Sequence, residues 1–550
     1  MSTKKGFLRN TAVMFAAMFI SKALGAVLKI PLGNILGGEG MGYFTTAYSI
    51  FMPVLSFACA GIPTILTRAV AGYAACGEYG RIRVTRRCSL LLALAVGIAG
   101  AALIYAAAVP FVCYIANSPE SLPGVLIIAP ATVFCSVTAV YRGYYEGLSD
   151  ALPTAMSQVI ESFVRAGLGV GLSYYVYVNG ERFFGSQAAA LPYSAAAAVL
   201  GVTVSELCGM VYMLFRSRRS SDSFRMYGGK TDDTDMLAVC REIFVKSLPI
   251  SLGAAASNLL SLADMLTISN CIDLSANLFA EYWERDAVLS EVTAASSGTG
   301  NFMYGCYAGM IMSVYMLAAA ASGVVARCAL PRLACTAETG GTAARDREVK
   351  LLIKGTAVIT APLTVLMAVL AEPILMILYP SRTLEARVSV LPLAVLCAGG
   401  LAAALLGAVC VIFNAYGDFG FPIKLTLIGG AVKLLTNAVF IIMPFLNITG
   451  AAVSAVLSNV ICLVYALKQA DKKFGISSAC MRHVLPSLAA SLGGGAAAFM
   501  FYRGLNGDTG VPAAFVLSAL LGGSAYILIL FISDASDCMA VLKRLRGERA

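Results

Sequence analysis

The sequence predicts an all-α polytopic membrane protein with about fourteen transmembrane helices. Three observations predict it. Of 550 residues, 59% are hydrophobic and only 13% charged, where a soluble chain carries roughly a quarter charged residues. The apolar residues gather in runs of about 20, the length at which a helix crosses the hydrocarbon core. The basic residues fall between alternate runs, so they collect on one side of the membrane.

The first six runs occupy 11–30, 43–66, 89–108, 125–145, 153–175 and 191–215. A polar stretch, 216–242, follows. The remaining eight runs occupy 245–271, 302–325, 351–370, 391–413, 422–443, 450–467, 484–501 and 512–532. The first run is too long for the apolar core of a cleavable signal peptide, and no small-residue cleavage pattern follows it, so it is expected to be retained.

With the N-terminus inside, the cytoplasmic segments hold 31 of the 40 basic residues, among them Arg142. The outer segments hold Arg182, Arg285, Arg382, Arg387 and Arg503. Lys22, Lys29, Arg165 and Lys433 remain within spans. This asymmetry places both termini in the cytoplasm of a plasma-membrane protein. It also accounts for the net charge of +10 without a nucleic-acid partner, because basic inner loops meet anionic membrane lipids.

The polar stretches divide the chain into an N-terminal lobe of six spans (1–215), a cytoplasmic linker (216–242), a C-terminal lobe of six spans (243–467), and two last spans with a basic tail (468–550). An internal echo accompanies this plan. Asp150-Ala-Leu-Pro153 opens the fifth span and Asp418-Phe-Gly-Phe-Pro422 the eleventh, each with proline near a helix start, where its missing N–H costs little. A cation follows in each, Arg165 or Lys433. Bundles repeated about a central site are the usual design of secondary transporters.

Several classes of chemistry are excluded. The sixteen cysteines are scattered singly among apolar runs without a CxxC pair and read as small buried hydrophobes. A single histidine, His483, argues against a histidine metal site or triad. No GxxxxGK[ST] loop is present. No cofactor or metal is therefore expected, and transport would draw on an H+ or Na+ gradient, the membrane potential or the substrate gradient.

The informative residues are the ionisable ones at membrane depth, each costing about 2.5–3.5 kcal/mol to insert. Lys22 lies roughly 18 Å along the first span at 1.5 Å per residue, and Lys29 shares its face. Gln158, Glu161 and Arg165 lie on the fifth span. Glu161 and Arg165 have the i, i+4 spacing and order that favour an intrahelical ion pair. Glu206 stands in the sixth span, Asp264 in the seventh beside Ser257 and Ser261, and Lys433 and Asn437 one turn apart in the eleventh. Each could tie helices together; jointly they suit a shared aqueous cavity. The cations suit an anionic, phosphate-bearing substrate.

Particular stretches also resemble a known family. KIPLGNILGGEGMGYFTTAYSIF (29–51), AGIPTILTR (60–68) and YRGYYEGLSDALPTAMSQVIESFVR (141–165) resemble the stage V sporulation protein B family, and YGCYAGM (304–310) and ALPRLA (329–334) match it more loosely. The family belongs to the multidrug/oligosaccharidyl-lipid/polysaccharide exporter superfamily, which includes the lipid II flippases. The resemblance implies two six-helix lobes around a V-shaped cavity plus two extra helices. It implies alternating access and export of an undecaprenyl-pyrophosphate-linked saccharide, possible contact with cell-envelope synthesis proteins, and basic residues of the first helix at the pyrophosphate. Lipid II flippases rely on further cavity arginines, and the eighth span here has none. Lys22, Lys29 and Arg165 are thus expected to attract the pyrophosphate, with Gln158, Glu161, Glu206, Asp264, Lys433 and Asn437 lining the cavity or coupling transport. A cation-coupled multidrug exporter of the same superfamily is the alternative. A membrane glycosyltransferase or ligase would need catalytic carboxylates in the outer loop 272–300, which holds Glu281, Glu284, Asp286 and Glu291.

Overall fold

The computed structural model describes residues 2–225, 236–319, 342–418, 420–475 and 482–533, with isolated positions 323, 329, 333 and 336. Side chains are described from Gly25 onward, except those of residues 26, 27, 220–225, 342–344 and 506–509. The described residues are almost wholly helical and contain no β-strand. Eleven helices are long and apolar enough to cross a membrane, or twelve when Thr383–Ala398 and Gly400–Ala415, bent by 43° at their junction, count as one span. Two expected spans stand outside that number. Most of 11–30 falls where side chains are not described. The other, 153–175, forms a 27-residue helix whose Glu161, Arg165 and tyrosines lower its hydropathy.

The chain divides into two compact units, residues 1–270 with 296–309, and residues 271–295 with 310–550. In the first unit α1 (Ser2–Cys76) is two helices joined at Gly37. Gly37 has φ 65° and ψ −168°, a backbone region that only glycine enters cheaply, so a single residue stands where the sequence suggested a loop. Next come α2 (Tyr79–Pro110), α3 (Pro119–Gly147), α4 (Leu152–Val178), α5 (Gln187–Arg225) and the first part of α6 (Met236–Leu278). Ile62 and Leu66 of α1, Ile82 of α2, Tyr141 and Tyr144 of α3, Met213 of α5 and Ile243 of α6 share one buried cluster. Small residues let the helices approach closely: a β-carbon on Gly201 of α5 would collide with the backbone of Gly169 on α4.

The second unit contains α7 (Thr342–Val369), α8 (Thr383–Ala398), α9 (Gly400–Ala415), α10 (Gly420–Phe440), α11 (Ile448–Phe474), α12 (Leu485–Thr509) and α13 (Val511–Ser533). One core there joins Leu352 and Ile353 of α7, Val409 and Phe413 of α9, Leu425 of α10 and Leu463 of α11. The last two helices meet at Gly494 and Gly522 and dock on α7, where the Tyr526 hydroxyl donates to the Val358 carbonyl at 2.8 Å.

The internal echo has a matching backbone in each unit. After α3, Ser149 is left-handed at φ 59°, its N–H bonds the Glu146 carbonyl, and the Asp150 N–H bonds the Tyr145 carbonyl. After α9, Gly417 is left-handed at φ 79°, its N–H bonds the Asn414 carbonyl, and the Asp418 N–H bonds the Phe413 carbonyl. Both are Schellman endings. Each aspartate then accepts from the first turn of the next helix, Asp150 from Leu152 N at 3.3 Å and Asp418 from Phe421 N at 3.2 Å. Arg165 and Lys433 stand at equal separations beyond these aspartates.

Candidate functional site

A cavity of about 380 Å3 lies within the first unit. It is lined by Leu55 and Cys59 of α1, Cys135, Ala139 and Arg142 of α3, Gln158, Glu161, Ser162 and Arg165 of α4, and Glu206 of α5. Proline near the start of α4 sets its entry, and the 3.6-residue period then brings Gln158, Glu161 and Arg165 to one face.

The i, i+4 spacing predicted that Glu161 pairs with Arg165; the structure pairs each with another helix. Arg142 Nη2 donates to Glu161 Oε1 at 2.6 Å, and its Nε donates to Ser157 Oγ at 2.9 Å. Arg165 Nη2 donates to Glu206 Oε1, with its Nε 3.4 Å from Ser205 Oγ. Interhelical pairs win because a guanidinium has five donors in a planar fork, and Ser157 on α4 and Ser205 on α5 offer hydroxyls to the second arm of Arg142 and Arg165. The two pairs interact as one cluster, since Arg165 also feels Glu161, and Glu161 feels Glu206.

All four charged side chains line the cavity, but unequally: those of Arg142 and Arg165 are 22% and 31% exposed, and those of Glu161 and Glu206 only 7% and 11%. The cations are thus the more accessible member of each pair. Gly209 makes room for this: a β-carbon there would overlap the Glu161 carboxylate.

Of the residues singled out by sequence, Gln158, Glu161, Arg165 and Glu206 come together. Arg142, which the sequence assigned to a cytoplasmic segment, joins them; the signal was its place in the Arg-Gly-Tyr motif. Lys29 is half-buried beside Leu28, whose side chain packs at Gly169, one turn beyond Arg165; it is not a lining residue of this cavity. Lys22 is on α1, with its side chain outside the described residues. Asp264 is half-buried on α6, also in the first unit. Lys433 and Asn437 lie on α10 in the second unit, half-buried and buried. Counted from Asp150 and Asp418, the counterparts of Glu161 and Arg142 there are Gly429 and Cys410, so the Arg142–Glu161 pair has no charged counterpart at those two positions. Among the described residues, no group of three or more His, Cys, Asp or Glu could hold a metal ion.

Long apolar helices around a polar, doubly ion-paired cavity define a multi-pass membrane protein. It belongs to the family described as polysaccharide biosynthesis protein, whose family model matches residues 7–334. The model for lipid II flippase MurJ matches residues 295–519. Stage V sporulation protein B of Bacillus subtilis (strain 168) is 26% identical over 210 residues, 38% of this chain and 39% of that protein. The matched stretch spans less than half the length of each curated relative. Among solved structures, lipid II flippase MurJ in an inward closed conformation has a TM-score of 0.60 at 15% identity, covering 95% of this chain and 98% of that one. An inward-facing multidrug resistance MATE family transporter of the MOP superfamily has a TM-score of 0.66 at 13% identity, covering 84% and 98%. The fold is thus shared with transporters of both kinds.

Proposed function

We propose that the chain is a flippase that moves a polyprenyl-pyrophosphate-linked saccharide across the cytoplasmic membrane by alternating access. The observation that carries this reading is the pair of guanidinium groups, Arg142 and Arg165, lining a cavity among long apolar helices and more exposed there than the carboxylates they pair with. Guanidinium forks match phosphate oxygens. The pyrophosphate engages Arg142 and Arg165, with Lys22 and Lys29 on α1 supplying further positive charge. Gln158 offers a neutral donor, and Asp264, Lys433 and Asn437 act in polar lining or coupling. The saccharide crosses in a water-filled path while the lipid tail stays in the bilayer. Both termini are cytoplasmic, the coupling force is an H+ or Na+ gradient or the membrane potential, and cell-envelope synthesis proteins are the natural partners. Kinship with a polysaccharide biosynthesis family and similarity to proteins named as flippases support the cargo class.

A reconstituted flipping assay with a fluorescent polyprenyl-pyrophosphate saccharide tests the reading. Arg142→Ala, Arg165→Ala and Lys22→Ala are expected to lower flipping by about tenfold or more, the cost of one lost charge-assisted contact. Undiminished flipping in all three would remove the site from the mechanism.

Glu161 and Glu206 favour one second reading, a cation-coupled multidrug exporter, because buried carboxylates suit cationic drugs. Drug susceptibility of an overexpressing strain separates the two. An enzyme in the outer loop is disfavoured by its chemistry: Glu281 is exposed and ion-paired to Arg285 one turn on.

A further inference from the structure

We propose that the first unit's cavity takes up a phosphate-class anion by exchange: the anion displaces Glu161 from Arg142 and Glu206 from Arg165, and each freed carboxylate takes one proton from the adjoining water. Anion and protons then occupy the cavity, and move, together. This deepens the flippase reading and rests on it.

The argument begins with charge. Arg142, Arg165, Glu161 and Glu206 form a cluster of zero net charge, satisfied as it stands. Adding a multiply charged anion at membrane depth would leave its charge unbalanced, a cost of several kcal/mol. Among the charged residues described as lining the cavity, compensation falls to the two carboxylates. Arginine stays charged, whereas a carboxylate becomes neutral by binding a proton. The geometry allows the exchange. The guanidinium groups are the more exposed partners, so an anion reaches them from the cavity side. The carboxylates, only 7% and 11% exposed, lose their hydrogen-bond donors to the anion and have little water to replace them, and a buried carboxylate without a partner favours its neutral form.

The surroundings agree. Glu161 is faced by Arg142 and Cys135 from α3, Cys59 from α1, Glu206 from α5, and Arg165 on its own helix. Glu206 is faced by Arg165 and Glu161 from α4, Arg142 and Cys135 from α3, and Tyr48 and Cys59 from α1. Among these groups the two arginines are the only cations. Once an anion claims both, what remains is two carboxylates, two thiols and a phenol, and the carboxylates are the groups whose charge must go.

The test uses the purified full-length protein in detergent with inorganic pyrophosphate as the probe. Calorimetric titration in two buffers of different ionisation enthalpy counts protons exchanged per anion bound. The Glu161→Gln/Glu206→Gln double variant keeps the ligand's own titration and removes the protein's, so the difference is the quantity of interest. The expected excess is about one to two protons taken up by the wild type, with affinity falling about tenfold per pH unit for each. Glu161→Gln is expected to bind pyrophosphate about tenfold or more tighter at pH 8, because a competing neighbouring charge is gone; Glu206→Gln alone gives the same reading through Arg165. Equal proton counts in wild type and double variant overturn the exchange, as do weaker binding by both single variants or no binding of pyrophosphate at all. Flipping that persists under any of those results keeps the flippase reading and discards only the exchange; loss of flipping of every lipid-linked saccharide discards the reading itself.

Discussion

Glu161 accepts a 2.6 Å hydrogen bond from Arg142, nineteen positions earlier on the preceding helix, although Arg165 stands one turn away on its own. The pair ties α3 to α4 at the floor of the cavity. Removing one member leaves a buried charge without its partner, which costs more than the pair contributes. Arg142→Ala is therefore expected to destabilise the protein by about 2–3 kcal/mol, and Arg142→Met/Glu161→Leu to recover most of that. Thermal unfolding in detergent of Arg142→Met, Glu161→Leu and their double variant measures the coupling. Additive losses would mean that the two side chains act independently.

Gly209 exists for Glu161. A methyl at that position would overlap the carboxylate, and the α4–α5 contact is too close at Gly169 and Gly201 for the helices to separate cheaply. Gly209→Ala is expected to cost about 1–3 kcal/mol through overpacking. It should lower flipping as well, by moving the carboxylate off Arg142. Adding Gly209→Ala to Glu161→Ala, where the space is already open, should cost little more. A full additional loss in that combination would place the strain elsewhere.

The helices were legible in the sequence because each apolar run is long and each break is marked by charge, glycine or proline. The polar residues Gln158, Glu161, Arg165 and Glu206 were legible for the same reason, as exceptions inside those runs. Their partners were not. The i, i+4 rule sees one helix only, so it joined Glu161 to Arg165 and could not weigh Arg142, whose depth near a span end looked cytoplasmic. The junction at Gly37 was hidden too: one left-handed glycine does the work expected of a loop, and nothing in residue composition separates it from its neighbours in GGEG. The repeat was visible as two aspartate–proline turns, and the shared Schellman endings at Ser149 and Gly417 give it a backbone basis. The asymmetry between the copies could be read only after those turns had fixed the alignment.

Asp418 gives a pH-dependent signature in the second unit. The hydrogen bond from Lys473 holds its carboxyl below the usual carboxylate range, and the Phe421 N–H adds to this. A carboxylate depressed in the folded state stabilises above its unfolded pKa of about 3.9, and that contribution is lost as pH falls through the lower folded value. Asp418→Asn keeps an acceptor for Phe421 and loses the ion pair. Its melting temperature should lie below that of the wild type at pH 7, and the two should converge as pH drops below about 4. A gap that widens in acid would reverse the sign of the linkage.

The charge asymmetry of the loops makes a topological prediction at two exposed positions. Cys76 ends α1 beside Arg68, Arg81 and Arg83, and is exposed. Ser186 lies between α4 and α5 in a loop whose only cation is Arg182, and is also exposed. With basic segments inside, Cys76 faces the cytoplasm and Ser186 the exterior, one bilayer apart along α5 and its neighbours. In a background with the other cysteines replaced, a membrane-impermeant maleimide added to intact cells should label Ser186→Cys and spare Cys76, and permeabilised cells should label both. Labelling of Cys76 from outside would invert the whole arrangement. Arg142 and Glu161, near the α3–α4 turn on the same side as Cys76, would then open to the exterior, and a headgroup entering from the cytoplasm would meet the far end of α4 first.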